Sequence, residues 1–143
     1  ILPHFRQNKN GILINISSVG GKVTMPLVSL YHGTKFAVEG ITESLNYELA
    51  EIGVKARLVE PGAIKTDFGT RSMDFSNDES IQEYQRLAKA LTTGFEQMLA
   101  HATPPEVVAQ VIHDAATDTS DQIRFVAGED AQQMIQVREN NSD

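Results

Sequence analysis

Near the start of the chain, three side chains have the types and spacing of a proton-transfer apparatus. Ser18 places a hydroxyl at the end of an apolar run; Tyr31 follows thirteen positions later, and Lys35 stands four residues beyond it. Side chains at i and i+4 of a helix share a face, so Tyr31 and Lys35 can point into one site. A free phenol ionises near pH ~10, too high for an efficient base at neutral pH, and a cation within a few ångströms favours the phenolate. Taken singly, each residue has a plainer reading: a packed Tyr with a wet hydroxyl, a surface Lys, a turn-capping Ser. Their joint spacing favours the chemical reading.

The elements around them suit that task. Gly11 breaks the opening segment, and Ile12-Leu13-Ile14-Asn15-Ile16 is an apolar, β-branched run of the kind buried on both faces of a parallel sheet. Gly20-Gly21 allow a sharp exit, and Pro26 lies in the loop that follows. A helix is predicted from Leu30 to about Ile52, with Ala37, Ile41, Leu45, Leu49 and Ile52 as a stripe facing a core or a partner; Gly53 ends it. Residues 54–60 form a second strand closed by Pro61-Gly62, completing a strand–helix–strand unit and hence parallel pairing. Residues 63–78 read as loop. A further helix is expected from about Ser80 with a Ser80–Glu83 capping box, and another at Thr103-Pro104-Pro105-Glu106, with Thr103 as the cap, Pro at the first helical position and Glu106 at the third. Residues 123–127 predict a third strand, and residues 130–138 a short terminal helix.

Composition sets outer limits. The chain has 143 residues, 41% hydrophobic and 22% charged, which suits a globular domain. No apolar run approaches the roughly 20 residues of a spanning helix. Cysteine is absent, which removes disulfides and thiolate metal sites and fits a reducing, cytoplasmic location. Net charge is −7, and residues 66–143 hold five Lys/Arg against fourteen Asp/Glu, so neither nucleic acid nor an anionic membrane is the expected partner. His4, His101 and His113 lack metal-ligand spacing, and no metal site is expected. His32 adjoins Tyr31 but points roughly 100° away on the helix, which suits a surface or loop contact.

At Ser18, Tyr31 and Lys35 the sequence resembles the short-chain dehydrogenase/reductases, in their single-domain branch. The resemblance rests on Asn15-Ile16-Ser17-Ser18 at the strand end, Tyr31-x-x-x-Lys35, Pro61-Gly62-Ala63-Ile64-x-Thr66 after the next strand, and the late strand ending near Gly128. Together these cover most of residues 11–130. The resemblance implies an α/β fold, a Rossmann-like doubly wound parallel sheet of which residues 1–143 are the C-terminal half. The N-terminal cofactor-binding portion, with its glycine-rich turn and the residue selecting NAD or NADP, would lie upstream of Ile1. The opening segment reads as the tail of a helix, as that placement requires, and no G-x-G-x-x-G occurs here. Gly33-Thr34 departs from the family's frequent Ala-Ser before the lysine, with little mechanistic change expected.

The resemblance further implies an oxidoreductase that interconverts an alcohol and a ketone or aldehyde with NAD or NADP. Tyr31 would be the acid/base. Lys35 would tune it and hold the nicotinamide ribose, and Ser18 would orient the substrate oxygen. Ser17 is a rival for Ser18's role, but its strand face counts against it. Pro61 and Gly62 would shape the cofactor turn, with Ile64 and Thr66 meeting the carboxamide. Phe68, Met73, Phe75, Tyr84, Leu87, Leu91 and Phe95 lie where the family has a substrate cover; they point to an apolar substrate or simply pack that segment down. Helix 30–52 would mediate a homo-oligomer. The competing expectation is a non-catalytic dinucleotide-binding or scaffold member, and in either case the isolated stretch should be inactive.

Overall fold

The computed structural model describes residues 1–69 and 71–141. A two-turn helix, α1 (Leu2–Asn8), leads into β1 (Gly11–Ile16), and a single 3-10 turn at Val19–Gly21 follows. The long helix α2 (Ser29–Ala50) crosses to β2 (Val54–Pro61). Another 3-10 turn (Asp67–Gly69) interrupts the predicted loop before α3 (Gln82–Ala100) and α4 (Pro105–Thr117). The chain then forms β3 (Arg124–Ala127) and α5 (Glu129–Asn140). The three strands pair in parallel in the order β1-β2-β3. Parallel strands joined through helices leave both sheet faces covered, as an α/β Rossmann-like layer requires.

Strand alternation decides what each face receives. Val54 and Ala56 of β2 join Leu49 of α2, with Phe5, Leu13, Leu45 and Ile52 packed around them. Val59 on the opposite face joins Ala115 of α4 and Ala127 of β3, with Ile14, Val108, Val111, Ile112 and Phe125 around them. Asn15 donates through Nδ2 to Thr42 Oγ1 at 2.8 Å, tying β1 to the buried side of α2. Gly53 closes α2 with φ +70°, and an added Cβ would lie 2.8 Å from the Lys9 carbonyl oxygen. Glycine is the residue that meets both demands.

Three local expectations change. The stripe on α2 divides: Leu45, Leu49 and Ile52 reach the core, whereas Ile41 is 58% exposed and Ala37 is exposed as well. The Ser80–Glu83 capping box does not form, because Asp78 captures both the Ser80 amide and its hydroxyl, and α3 starts at Gln82. Thr103 does not cap α4. Its backbone bridges in parallel to Ile64, so the chain there is extended and Pro104 occupies the cap position.

Candidate active site

The C-terminal ends of β1 and β2 lie side by side, and the chain leaves each through a tight turn. In open parallel α/β sheets, ligands bind in the crevice outside these strand ends. From β1, Ser18 enters the 3-10 turn as its N-cap: Oγ accepts from the Gly20 amide at 3.0 Å and donates to the Pro61 carbonyl at 3.5 Å. The capping reading of Ser18 therefore holds, and the same hydroxyl also spans from one strand end to the other. Ser17 is buried, with its Oγ lacking a partner, and its amide continues the ladder to the Val59 carbonyl.

Tyr31 stands in the first turn of α2, above the Ser18 turn. A Cβ on Gly20 would lie 3.0 Å from Tyr31 Cε1, so glycine there lets the phenol ring lie against the turn. Phe68 flanks the ring with centroids 6.2 Å apart, and Lys35 Nζ lies 5.9 Å from the ring centroid. Lys35 also donates to the Ile16 carbonyl at 3.3 Å, so its ammonium is held at the end of β1. Ser18, Tyr31 and Lys35 thus converge on one strand end.

Pro61 ends β2, and Gly62 and Ala63 turn the chain outward. The bridge to Thr103 uses the Ala63 carbonyl and the Lys65 amide, which directs the backbone groups of Ile64 to the other side. Thr66 donates its amide to the Ile64 carbonyl at 2.8 Å, and its Oγ1 accepts from Phe68 N at 3.3 Å. Beside Tyr31, the loop before α2 holds Leu27 in the left-handed region at φ +63°, an uncommon conformation for a branched side chain. Leu27, Phe75, Ile81 and Tyr84, together with the polar Ser76, Asn77 and Asp78, line a shallow hollow of about 200 Å³.

This frame is shared with known proteins. A family model described as short chain dehydrogenase matches residues 1–77, more than half of the chain. The chain belongs to the short-chain dehydrogenase family. An uncharacterised oxidoreductase of Schizosaccharomyces pombe is 41% identical over 143 residues, which cover 100% of this chain and 59% of that relative. The structure of a short-chain dehydrogenase from Streptomyces avermitilis has a TM-score of 0.78 at 27% identity, covering 98% of this chain and 50% of that one. A Burkholderia cenocepacia short-chain dehydrogenase solved in complex with NADP shares the fold, with a TM-score of 0.69 at 20% identity, over 98% of this chain and 47% of that one. The chain therefore spans 47% to 59% of the length of these three proteins.

Two residues hold this short-chain dehydrogenase site in place that motif spacing alone did not single out. His32 is buried, and of its surface and loop-contact readings it is the loop contact that holds. Its Nδ1 donates to the Gly20 carbonyl and its Nε2 accepts the Met25 amide, both at 2.8 Å, which pins the loop between Ser18 and Tyr31 and fixes the ring tautomer. Asp130, in the first turn of α5, accepts the Ala63 amide at 2.7 Å and presses on Gly62, where any Cβ would collide with its carboxylate. An acidic residue in the first turn of a helix is a legible signal; its partner across 67 residues is not. Among the described residues, no group of three or more His, Asp or Glu could hold a metal ion, and no helix is long and apolar enough to cross a membrane.

Proposed function

We propose that this chain carries the proton-transfer portion of an NAD(P)-dependent oxidoreductase that interconverts an alcohol and a ketone or aldehyde. One observation carries the reading: Tyr31 and Lys35 of α2 meet the Ser18 turn of β1 at the mouth of the crevice, beside the turn that closes β2. In this reading Tyr31 takes the hydroxyl proton when the alcohol is oxidised and returns it to the carbonyl oxygen on reduction. Lys35 places a positive charge beside the phenol and faces the cofactor. Ser18 orients the substrate oxygen through its hydroxyl.

The residues of the β2 turn fit the amide end of a nicotinamide. The Ile64 backbone faces away from its bridge partner, Thr66 brings a hydroxyl, and Pro61 and Gly62 set the direction of the turn. The nicotinamide ring, when bound, supplies the hydride acceptor or donor. NAD and NADP are equally compatible with these groups. Leu27, Phe75, Ile81 and Tyr84 on the wall of the hollow support a substrate with apolar character, and the exposed Leu30, Phe36, Ile41 and Tyr47 on α2 support association with a second copy. Residues 1–143 act in this reading as the C-terminal portion of one Rossmann-like domain in a cytoplasmic protein, and are inactive alone.

The test is Tyr31→Phe in the full-length protein, assayed with NAD(H) and NADP(H) against a panel of alcohols and ketones. Turnover should fall by about 10²–10⁴-fold, the range of a lost general acid–base group, while dinucleotide binding persists. Near-normal turnover would sink the assignment. Dinucleotide binding without turnover in the unsubstituted protein would favour a non-catalytic binding role.

A further inference from the structure

Behind the Ser18 turn, on the α2 side of the sheet, the structure buries two carboxyl groups against each other. Glu39 lies one turn past Lys35 on α2 and is 6% exposed; Glu60 lies next to the end of β2 and is 1% exposed. Arg124 of β3 approaches both, with Nε 3.0 Å from Glu39 Oε2 and 3.5 Å from Glu60 Oε1, while its Nη2 bonds Glu43 Oε2 at 2.7 Å. Yet Glu39 Oε1 and Glu60 Oε1 are both buried without a hydrogen-bond donor. An ionised carboxylate only accepts, so two orphaned oxygens in a buried pair mark a missing hydrogen.

The neighbouring charges agree. The charged groups acting on the pair are Lys22 after the 3-10 turn and Arg124 on β3, and Glu43 on α2 competes for Arg124. Arg124 holds the Glu43 carboxyl below the usual carboxylate range by hydrogen bond and charge, so Glu43 uses part of that cation. Burial first, then the Glu39 charge, push Glu60 up to about 7, with Lys22 and Arg124 opposing. Two buried negative charges facing one shared guanidinium are costly unless one is neutralised.

The pair also lies against the end of the Ser18 turn and beside the strand end that receives the Ser18 hydroxyl. A Cβ placed on Gly21 would lie 2.9 Å from Glu39 Cγ and 3.0 Å from Ser17 Oγ, so the Glu39 stem is the wall against which the turn closes. Glu60 immediately precedes Pro61, whose carbonyl receives the Ser18 hydroxyl. We propose that Glu39 and Glu60 share a single proton, clamped by Arg124, and that this protonated pair is a positioning device for the turn carrying Ser18. The catalytic consequence rests on the proposed role of Ser18; the proton itself does not.

The sign follows from linkage. A carboxyl near 4.5 in the unfolded chain and about 7 when folded makes folding take up a proton between those values. Stability contributed below pH ~4.5 is thus lost progressively up to about pH 7 and is level above it. Glu60→Gln supplies an N–H donor at every pH and removes this titration. In the full-length protein, wild type should lose up to about tenfold in folding equilibrium constant per pH unit relative to Glu60→Gln across that interval, read from denaturant midpoints. The wild-type infrared spectrum should carry a protonated-carboxyl band near neutrality that vanishes in Glu60→Gln and fades above pH 7. The pH profile of kcat should decline above pH 7 in wild type relative to Glu60→Gln. Parallel stability curves, or a wild-type spectrum without that band, would overturn the shared proton, whether or not the variant folds. A shared proton with superimposable kcat profiles would overturn the positioning role. Failure of the Tyr31 reading would leave the stability and infrared results unchanged.

Discussion

Replacing Arg57 with methionine tests how firmly β2 is anchored to the layer behind it. Arg57 is 1% exposed and lies on the α4 face of β2. Its Nη1 bonds the Ala115 carbonyl, and its Nη2 donates to the carbonyls of Asp118 and Ser120, both at 2.8 Å. The guanidinium also lies 5.3 Å from the Phe125 ring centroid and 3.1 Å from Asp118 Oδ1. It caps the C-terminal carbonyls of α4, a task normally left to water or a Schellman turn. Methionine keeps the apolar stem but none of the donors, and the carbonyls cannot be substituted away to match. The buried Ala115 carbonyl then loses a charged partner, at about 2 kcal/mol. The Asp118 and Ser120 carbonyls can be rehydrated at the surface, at about 0.5 kcal/mol each, and the lost ring contact adds about 1 kcal/mol. Wild type already leaves Arg57 Nε without a partner, and removing that group returns about 1 kcal/mol. The net expectation is a loss of about 3 kcal/mol, measured as the shift in urea midpoint of the full-length protein at neutral pH. A loss under about 1 kcal/mol would show that the capping bonds are replaced by water and would refute the anchoring argument.

Two further substitutions probe the turns at the site. His32→Ala leaves the Gly20 carbonyl and the Met25 amide without their shared partner; about 2–3 kcal/mol of stability should be lost, and limited proteolysis should cut first within residues 22–28. Gly62→Ala forces the Asp130 carboxylate away from the Ala63 amide; thermal denaturation should report a loss of about 1.5–3 kcal/mol, and dinucleotide affinity should fall with it.

The strands and helices were legible because their signals are local. The β-branched run ending at Ser17 and the Gly53 stop each give an element boundary within about two residues of the one observed. The i, i+4 relation of Tyr31 and Lys35 follows from helix geometry alone. Caps were less legible, because a cap is a contest between neighbours. Asp78 outcompetes Glu83 for Ser80, and the bridge to Ile64 takes the Thr103 backbone before its side chain can cap. The fastening of the site depends on partners far along the chain: Ala63 to Asp130, and Glu39 to Arg124 across 85 residues.

The buried face of α2 shows why periodicity misread that helix. Near its C-terminus Leu49 meets Val54 and Ala56 at the start of β2, and an apolar stripe finds this half correctly. The helix runs back toward the end of β2, and there its buried residues are Thr42, which meets Asn15, Glu39, which meets Arg124 and Glu60, and His32, which meets the Gly20 carbonyl and the Met25 amide. A stripe counted from apolar residues must drift off this face, and it drifts onto Ile41 and Ala37, which are exposed. The interface is thus hydrocarbon at the N-terminal ends of the strands and polar at their C-terminal ends, where Ser18, Tyr31 and Lys35 converge. A polar interior costs stability unless each group is paired. Its position directly beneath the candidate site indicates that the pairing there holds the strand-end turns in one arrangement, a task that apolar packing, which is non-directional, performs less well.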